Sequence, residues 1–224
     1  MKKIDKSGMI THCLKTAEYC HDIIARTAKV EIPEKVRITK SIIEYKKPQN
    51  IVVAGMGGSA IGGEILRDWL RDETSIPIDV CNEYALPAYT DKHTLVFAVS
   101  YSGETEETLN TFMDAIRRKC MVIAITSGGH LLTFVKKLQL PHVMIPVGLP
   151  PRAALPYVFF PLPILMKKMG VLAGKRNEIE ESIHAIKTVS KENSPQIPTE
   201  NNFSKRLALQ LKDSVPVVYG FRQY

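Results

Sequence analysis

Short apolar runs rich in valine and isoleucine recur at residues 51–54, 78–81, 95–99, 121–125 and 143–147, and none of them alternates with polar positions. Continuous runs of this length are what strands buried on both faces require. Between them, residues 60–70, 105–118 and 130–138 place apolar side chains at the three- and four-residue spacing of an amphipathic helix. Parallel strands need crossover connections, so alternating β and α segments predict an α/β fold: a doubly wound, five-stranded parallel sheet flanked by helices. Ligands of such sheets bind at the carboxyl ends of the strands, near the point where strand order reverses. The segments after Ala54, Val99 and Ile125 are therefore the ones to search for chemistry.

Outside this rhythm, residues 10–27 read as a helix and residues 36–45 as a second, short one. The stretch 152–169 is helical, apolar and rich in proline. Residues 178–189 and 203–212 read as further helices, and Val215-Pro216-Val217-Val218-Tyr219 as a buried strand entering a glycine turn at 220–224. This pattern predicts a first domain over 1–175, connecting helices and a linker over 176–213, and the opening strand of an incomplete second domain over 214–224.

Composition narrows the function classes without choosing among them. Hydrophobic content of 45% and charged content of 24% in 224 residues are ordinary for a globular protein. The formal charge of +7 is spread over Arg117-Arg118-Lys119, Lys136-Lys137, Lys167-Lys168 and Lys175-Arg176. The first three fall at predicted helix C-termini, where cations offset the helix dipole. No aromatic-interleaved basic patch accompanies them, which argues against a nucleic-acid partner and suits a small anionic ligand. The apolar stretch 149–166 holds Arg152 and five prolines, a poor membrane helix. Without a signal-peptide core after Met1-Lys2-Lys3, the expected location is the cytoplasm. Four cysteines, Cys13, Cys20, Cys81 and Cys120, form no C-x-x-C pair. Cys13 and Cys20, beside His12 and His21, would sit about 10 Å apart on a helix, too far to share one zinc ion.

Four loops carry the candidate chemistry. Gly55-Met56-Gly57-Gly58-Ser59-Ala60-Ile61-Gly62-Gly63 follows a strand and opens a helix, where backbone N–H groups and the helix dipole can receive an anion. The alternative is that these glycines only let helix and strand pack closely. Gly55, Gly57 and Ala60 also match the loose G-x-G-x-x-G/A dinucleotide pattern, with Asp79 or Glu83 downstream, while a Walker lysine is absent. Ser100-Tyr101-Ser102-Gly103-Glu104-Thr105 is the more specific loop: three hydroxyls within six residues at a helix N-terminus can each donate to a phosphate oxygen. Helix capping accounts for one of them. Thr126-Ser127-Gly128-Gly129 either borders the same site or is a plain β–α turn. In Pro150-Pro151-Arg152-Ala153-Ala154-Leu155-Pro156 a single arginine could serve a phosphate or a developing oxyanion, or pair with a carboxylate near its own helix.

The first, second and fourth of these motifs together resemble the SIS superfamily, and within it the archaeal-type bifunctional phosphoglucose/phosphomannose isomerases. The resemblance implies that Gly57, Gly58, Ser59, Ser100, Ser102 and Thr105 bind a phosphosugar, the three hydroxyls gripping its phosphate. Arg152 would bind substrate too and, as a catalytic group, steady an enediolate. It implies interconversion of glucose 6-phosphate or mannose 6-phosphate with fructose 6-phosphate through a cis-enediol, with no metal or nucleotide cofactor, in a homodimer. The family's base glutamate and ring-opening histidine correspond to no residue of this chain, which the resemblance makes the phosphosugar-binding half of the isomerase. The alternatives are a non-catalytic phosphosugar sensor, and an oxidoreductase using a nucleotide cofactor at Gly55, Gly57 and Ala60.

Overall fold

The computed structural model describes residues 4–38, 41–174 and 176–220. They contain, in chain order, α1 (Met9–Leu14), α2 (Thr16–Ala28), β1 (Lys35–Ile38), β2 (Ser41–Glu44), β3 (Asn50–Ala54), α3 (Ile61–Trp69), β4 (Ile78–Cys81) and β5 (Thr94–Ser100). These are followed by α4 (Glu106–Arg117), β6 (Met121–Thr126), α5 (Gly129–Lys137), β7 (His142–Met144), α6 (Leu155–Phe159), α7 (Pro161–Lys168), α8 (Arg176–Glu192) and α9 (Phe203–Gln210). Two compact units are formed. One is Cys20–Ala173; the other gathers the residues before Cys20 and after Ala173. The first helix thus groups with the C-terminal segment instead of with the sheet it precedes.

Cys20–Ala173 is built on a five-stranded sheet in the order β4-β3-β5-β6-β7, every neighbouring pair parallel. The five predicted strands are all present, and the order is the doubly wound one in which the chain leaves β3 for one edge and returns on its other side with β5. β5 and β6 are buried along their whole length, which is why their sequences do not alternate. Phe97, Ile123 and Ile125 from these strands and Phe112 and Leu131 from the covering helices are fully buried. Arg117, Lys136-Lys137 and Lys167-Lys168 stand in the last turns of α4, α5 and α7, as the charge pattern anticipates.

The structure corrects one expectation, refines a second and leaves a third run unpaired. Residues 36–45 are not a helix: β1 and β2 pair antiparallel, Val36 facing Ile43 and Lys35 facing Glu44, with Thr39 and Lys40 outside the described residues. The period-two signal was there, since Val36 and Ile38 are buried while Lys35 and Arg37 are exposed, but four residues are too few to outweigh a helical reading. Tyr45 then anchors the hairpin to the sheet by donating its buried hydroxyl to the Val122 carbonyl at 2.7 Å. Secondly, the prolines divide the stretch 152–169 into a 3₁₀ turn (Pro151–Ala153), α6 and α7, because each removes a helical N–H and favours the first turn. Thirdly, residues 215–220 belong to no helix or strand, and Val215, Val217, Val218 and Tyr219 are exposed. Pro216 lacks a ladder donor, and no described strand lies alongside to pair with this run. The turn expected at 220–224 lies outside the described residues apart from Gly220.

In the other unit α1 packs on α8, and Asn202, fully buried, caps α9 by accepting the Lys205 N–H at 2.9 Å. The cysteines differ sharply in setting. Cys13 is exposed, whereas Cys20, Cys81 and Cys120 are buried, and burial pushes the Cys20 thiol up to about 11 and the Cys120 thiol up to about 12. A thiolate is the reacting form. An aromatic disulfide reagent at neutral pH is therefore expected to label Cys13 rapidly and the other three only after denaturation, counted by mass spectrometry of the native and unfolded chain.

Candidate functional site

Three loops leave the carboxyl ends of β3, β5 and β6, and the first two flank the position where strand order reverses. They touch: the Tyr101 N–H donates to Ser59 Oγ at 3.3 Å. The first two candidate loops are thus one locus, although 42 residues separate the bonded pair.

The glycines of the first loop split between the two roles the sequence left open. Gly62 and Gly63 serve packing. A Cβ added at Gly62 would stand 2.5 Å from the Val158 carbonyl oxygen, and one at Gly63 would stand 2.7 Å from Val53 Cβ. They let α3 lie directly on α6 and on β3. Gly57 and Gly58 have no atom within 4 Å of an added Cβ, and Gly57 sits at φ +52°. Their backbone faces open space, in a 3₁₀ turn (Gly57–Ser59) that contacts α6. This is backbone free for an anion to approach.

The second loop's three hydroxyls are likewise unequal. Ser100 is fully buried; its Oγ accepts the Gly103 N–H at 3.0 Å and lies 3.0 Å from Thr105 Oγ1. In this conformation it shapes the loop from within and presents nothing to solvent. Having accepted from Gly103, Ser100 can donate to Thr105, which frees the Thr105 proton for a ligand. Ser102 is exposed, with its Oγ accepting the Glu104 N–H at 3.2 Å, so its proton is also free. Thr105 is the N-cap residue of α4, yet its side chain makes no capping bond, and no described side chain supplies one. The first-turn N–H groups of α4 are left for another acceptor beside two available hydroxyls.

The third loop is a brace for the second. Ser127 donates its Oγ–H at 2.6 Å and its N–H at 3.0 Å to the Tyr101 carbonyl. The Leu131 N–H donates to the Gly103 carbonyl at 3.0 Å. Glu104 reaches across to α5: Oε1 accepts the His130 N–H at 3.0 Å and Oε2 lies 2.5 Å from His130 Nδ1. His130 thereby holds the Glu104 carboxyl below its ordinary range. A carboxylate from the chain itself therefore occupies the α5 N-terminus, while that of α4 is open.

Arg152 is exposed in its 3₁₀ turn and makes no hydrogen bond or ion pair with the described residues. The carboxylate partner considered from sequence is not there. Its element leads into α6, which touches both the Gly57–Ser59 turn and α3. The structure thus gathers Gly57, Gly58, Ser59, Ser102 and Thr105 at the carboxyl end of the sheet, after its inner strands β3 and β5. It sets Ser100 beneath them and Arg152 on the neighbouring element.

Sequence reasoning missed the roles of Tyr101, Ser127 and the Glu104–His130 pair. Each acts through contacts 26 to 48 residues distant, and no local spacing signals such contacts. Asp79, the acid that a dinucleotide reading would use, accepts a short hydrogen bond from the Tyr89 hydroxyl. Among the described residues no group of three or more His, Cys, Asp or Glu side chains is arranged to hold a metal ion, and none of their helices is long and apolar enough to cross a membrane.

Comparison with known proteins shows the family. Residues 44–131 match the SIS domain family, a span that includes the first three loops. The chain is 42% identical over 196 residues to the bifunctional phosphoglucose/phosphomannose isomerase of Caldicellulosiruptor bescii, covering 84% of this chain and 58% of that protein. It is 37% identical over 207 residues to the protein of the same name from Thermoplasma acidophilum, covering 89% and 60%. The chain so spans about three fifths of the length of these relatives. Among solved structures, a protein of Thermus thermophilus shares the fold with a TM-score of 0.64 at 18% identity, covering 91% of this chain and 48% of that one. The chain carries an SIS domain and is a relative, over most of its length, of the bifunctional phosphoglucose/phosphomannose isomerases.

Proposed function

We propose that this chain binds the phosphate of a phosphosugar and supplies the phosphosugar-binding half of an aldose–ketose isomerase. The observation that carries this reading is the uncapped N-terminus of α4, with Ser102 and Thr105 beside it and the open backbone of Gly57 and Gly58 on the adjoining loop. Two hydroxyl donors, helix N–H groups and the helix dipole form a site for a dianion.

The substrates we assign are glucose 6-phosphate and mannose 6-phosphate, interconverted with fructose 6-phosphate. Isomerisation carries a proton between C1 and C2 of the open-chain sugar through a cis-enediol. Anchoring the phosphate makes that transfer intramolecular and fixes C1 and C2 in space. To Arg152, which bonds to no described residue, we assign the stabilisation of the enediolate oxygen as charge develops there. The acid and base that move the proton are assigned to no residue of this chain. The working assembly we expect is a homodimer.

Titration calorimetry with fructose 6-phosphate tests the reading. Saturable binding is expected, and Ser102→Ala should weaken it by about 1.5–3 kcal/mol, roughly ten- to a hundredfold, as for a lost hydrogen bond to a charged group. A folded Ser102→Ala chain that binds as tightly as the parent would sink the phosphate assignment. A folded parent that binds nothing would point to another ligand class.

A further inference from the structure

Tyr101 lies inside the hydroxyl loop without being one of its hydroxyl donors to ligand. Its phenol oxygen is fully engaged, donating to the Pro146 carbonyl at 3.0 Å and accepting the Leu149 N–H at 2.7 Å. Both partners flank a turn whose Gly148 sits at φ +84°. One hydroxyl so closes both sides of the turn. Through its backbone the same residue donates to Ser59 Oγ and accepts from Ser127. Tyr101 is therefore bonded to the first and third loops and to the turn that leads into the fourth.

Leu149 is followed by Pro150 and Pro151, then Arg152. Pro150 is held at φ −58°, ψ 140°. The Ala153 N–H donates to the Pro150 carbonyl at 2.8 Å and the Ala154 N–H to the Pro151 carbonyl at 3.1 Å. Two ring-locked φ angles and a hydrogen-bonded turn leave little freedom between Leu149 and residue 152. Whatever fixes Leu149 fixes where the guanidinium starts, and Arg152 has no bond of its own to a described residue to do so.

We infer that Tyr101 is a positioning residue: its phenol ties the 146–149 turn to the phosphate loop and thereby sets Arg152 relative to the bound phosphate. This rests on the phosphosugar reading for its functional half and on the hydrogen bonds alone for its structural half. It explains why a tyrosine stands between two serines in a loop that otherwise needs small residues. The loop holds the phosphate, and its central side chain holds the arginine that meets the rest of the sugar.

Tyr101→Phe removes the oxygen and keeps the ring and every backbone bond. Amide hydrogen exchange without ligand is expected to quicken at Leu149, Ala153 and Ala154 and to stay unchanged at Ser127, whose partner is the Tyr101 carbonyl. Calorimetry should then find inorganic phosphate bound within about twofold of the parent. Fructose 6-phosphate should bind about tenfold more weakly, the scale of one lost bond to a charged group. Arg152→Ala should show the same loss, and the double variant should be no weaker than Arg152→Ala by more than about twofold. Unchanged exchange at Leu149 overturns the inference, as does an additive double variant or an equal loss of inorganic phosphate. Faster exchange in a chain whose parent binds neither ligand would instead defeat the phosphosugar reading while upholding the tie between Tyr101 and the arginine turn.

Discussion

Gly103→Ala is expected to abolish measurable phosphosugar binding and to lower the melting temperature. Gly103 sits at φ +74°, and a Cβ there would stand 1.9 Å from the Gly128 carbonyl oxygen and 2.9 Å from Thr126 Oγ1. The left-handed conformation alone costs alanine about 1–2 kcal/mol. A 1.9 Å approach to backbone cannot be relieved by a rotamer change, so the hydroxyl loop must part from the 126–130 loop. Parting endangers the Leu131–Gly103 and Ser127–Tyr101 bonds and the Glu104 bridge to His130. Even one further hydrogen bond, at about 1 kcal/mol, brings the total to about 2–3 kcal/mol. Because Ser100 accepts the Gly103 N–H, the same shift disorganises the hydroxyls that would hold phosphate. Calorimetry and a melting curve on one sample read both effects. Binding within threefold of the parent would show that the interlock of the loops is irrelevant to the site.

Gly62→Ala sets two opposing effects against each other. Glycine within a helix is worse than alanine by about 0.8–1 kcal/mol, so on an exposed face the substitution would stabilise. Here the added Cβ would lie 2.5 Å from the Val158 oxygen, 2.9 Å from its carbonyl carbon and 3.2 Å from Phe159 Cα. All three are backbone atoms, and α6 must retreat as a body. Overpacking of a close helix contact costs about 1–3 kcal/mol, which exceeds the propensity gain at all but its lower end. The expected net is a loss of up to about 2 kcal/mol, which corresponds to up to about 8 °C in melting temperature for a chain of this size. Binding should weaken too, since α6 also contacts the Gly57–Ser59 turn and the Pro151–Ala153 turn that bears Arg152. A melting temperature raised by the substitution would mean that the contact is looser than its geometry.

The sheet was legible because its strands are buried on both faces: β5 and β6 contain no residue that has to satisfy solvent, so their apolar runs are unbroken. The pairing of β1 with β2 was not, since each strand is only four residues long and too short to establish an alternation. The run at 215–219 is a different case. Its apolar residues resemble a strand, but a strand exists only through neighbours, and none among the described residues pairs with it. At the site, sequence located the loops and the residue types. It could not distinguish Ser100, buried beneath the loop, from Ser102 at its surface, since two residues apart in an irregular turn carry no periodicity. Nor could it tell Gly57 from Gly62. Both are glycines in one motif, and only what lies opposite them, open space or the backbone of α6, separates their tasks.

The bonds that Tyr101 makes reach 42 residues back to Ser59 and 45 and 48 residues forward to Pro146 and Leu149. Closing such spans is slow, because the chain entropy of each loop is spent before any contact rewards it. The contact to Ser59 needs the crossover from β3 to β5, and those to Pro146 and Leu149 need the chain laid down past β7. The site is therefore among the last parts of Cys20–Ala173 to exist. During refolding, ligand affinity should emerge with the slowest phase and never ahead of it, which makes a phosphosugar a stopwatch for completion of the sheet.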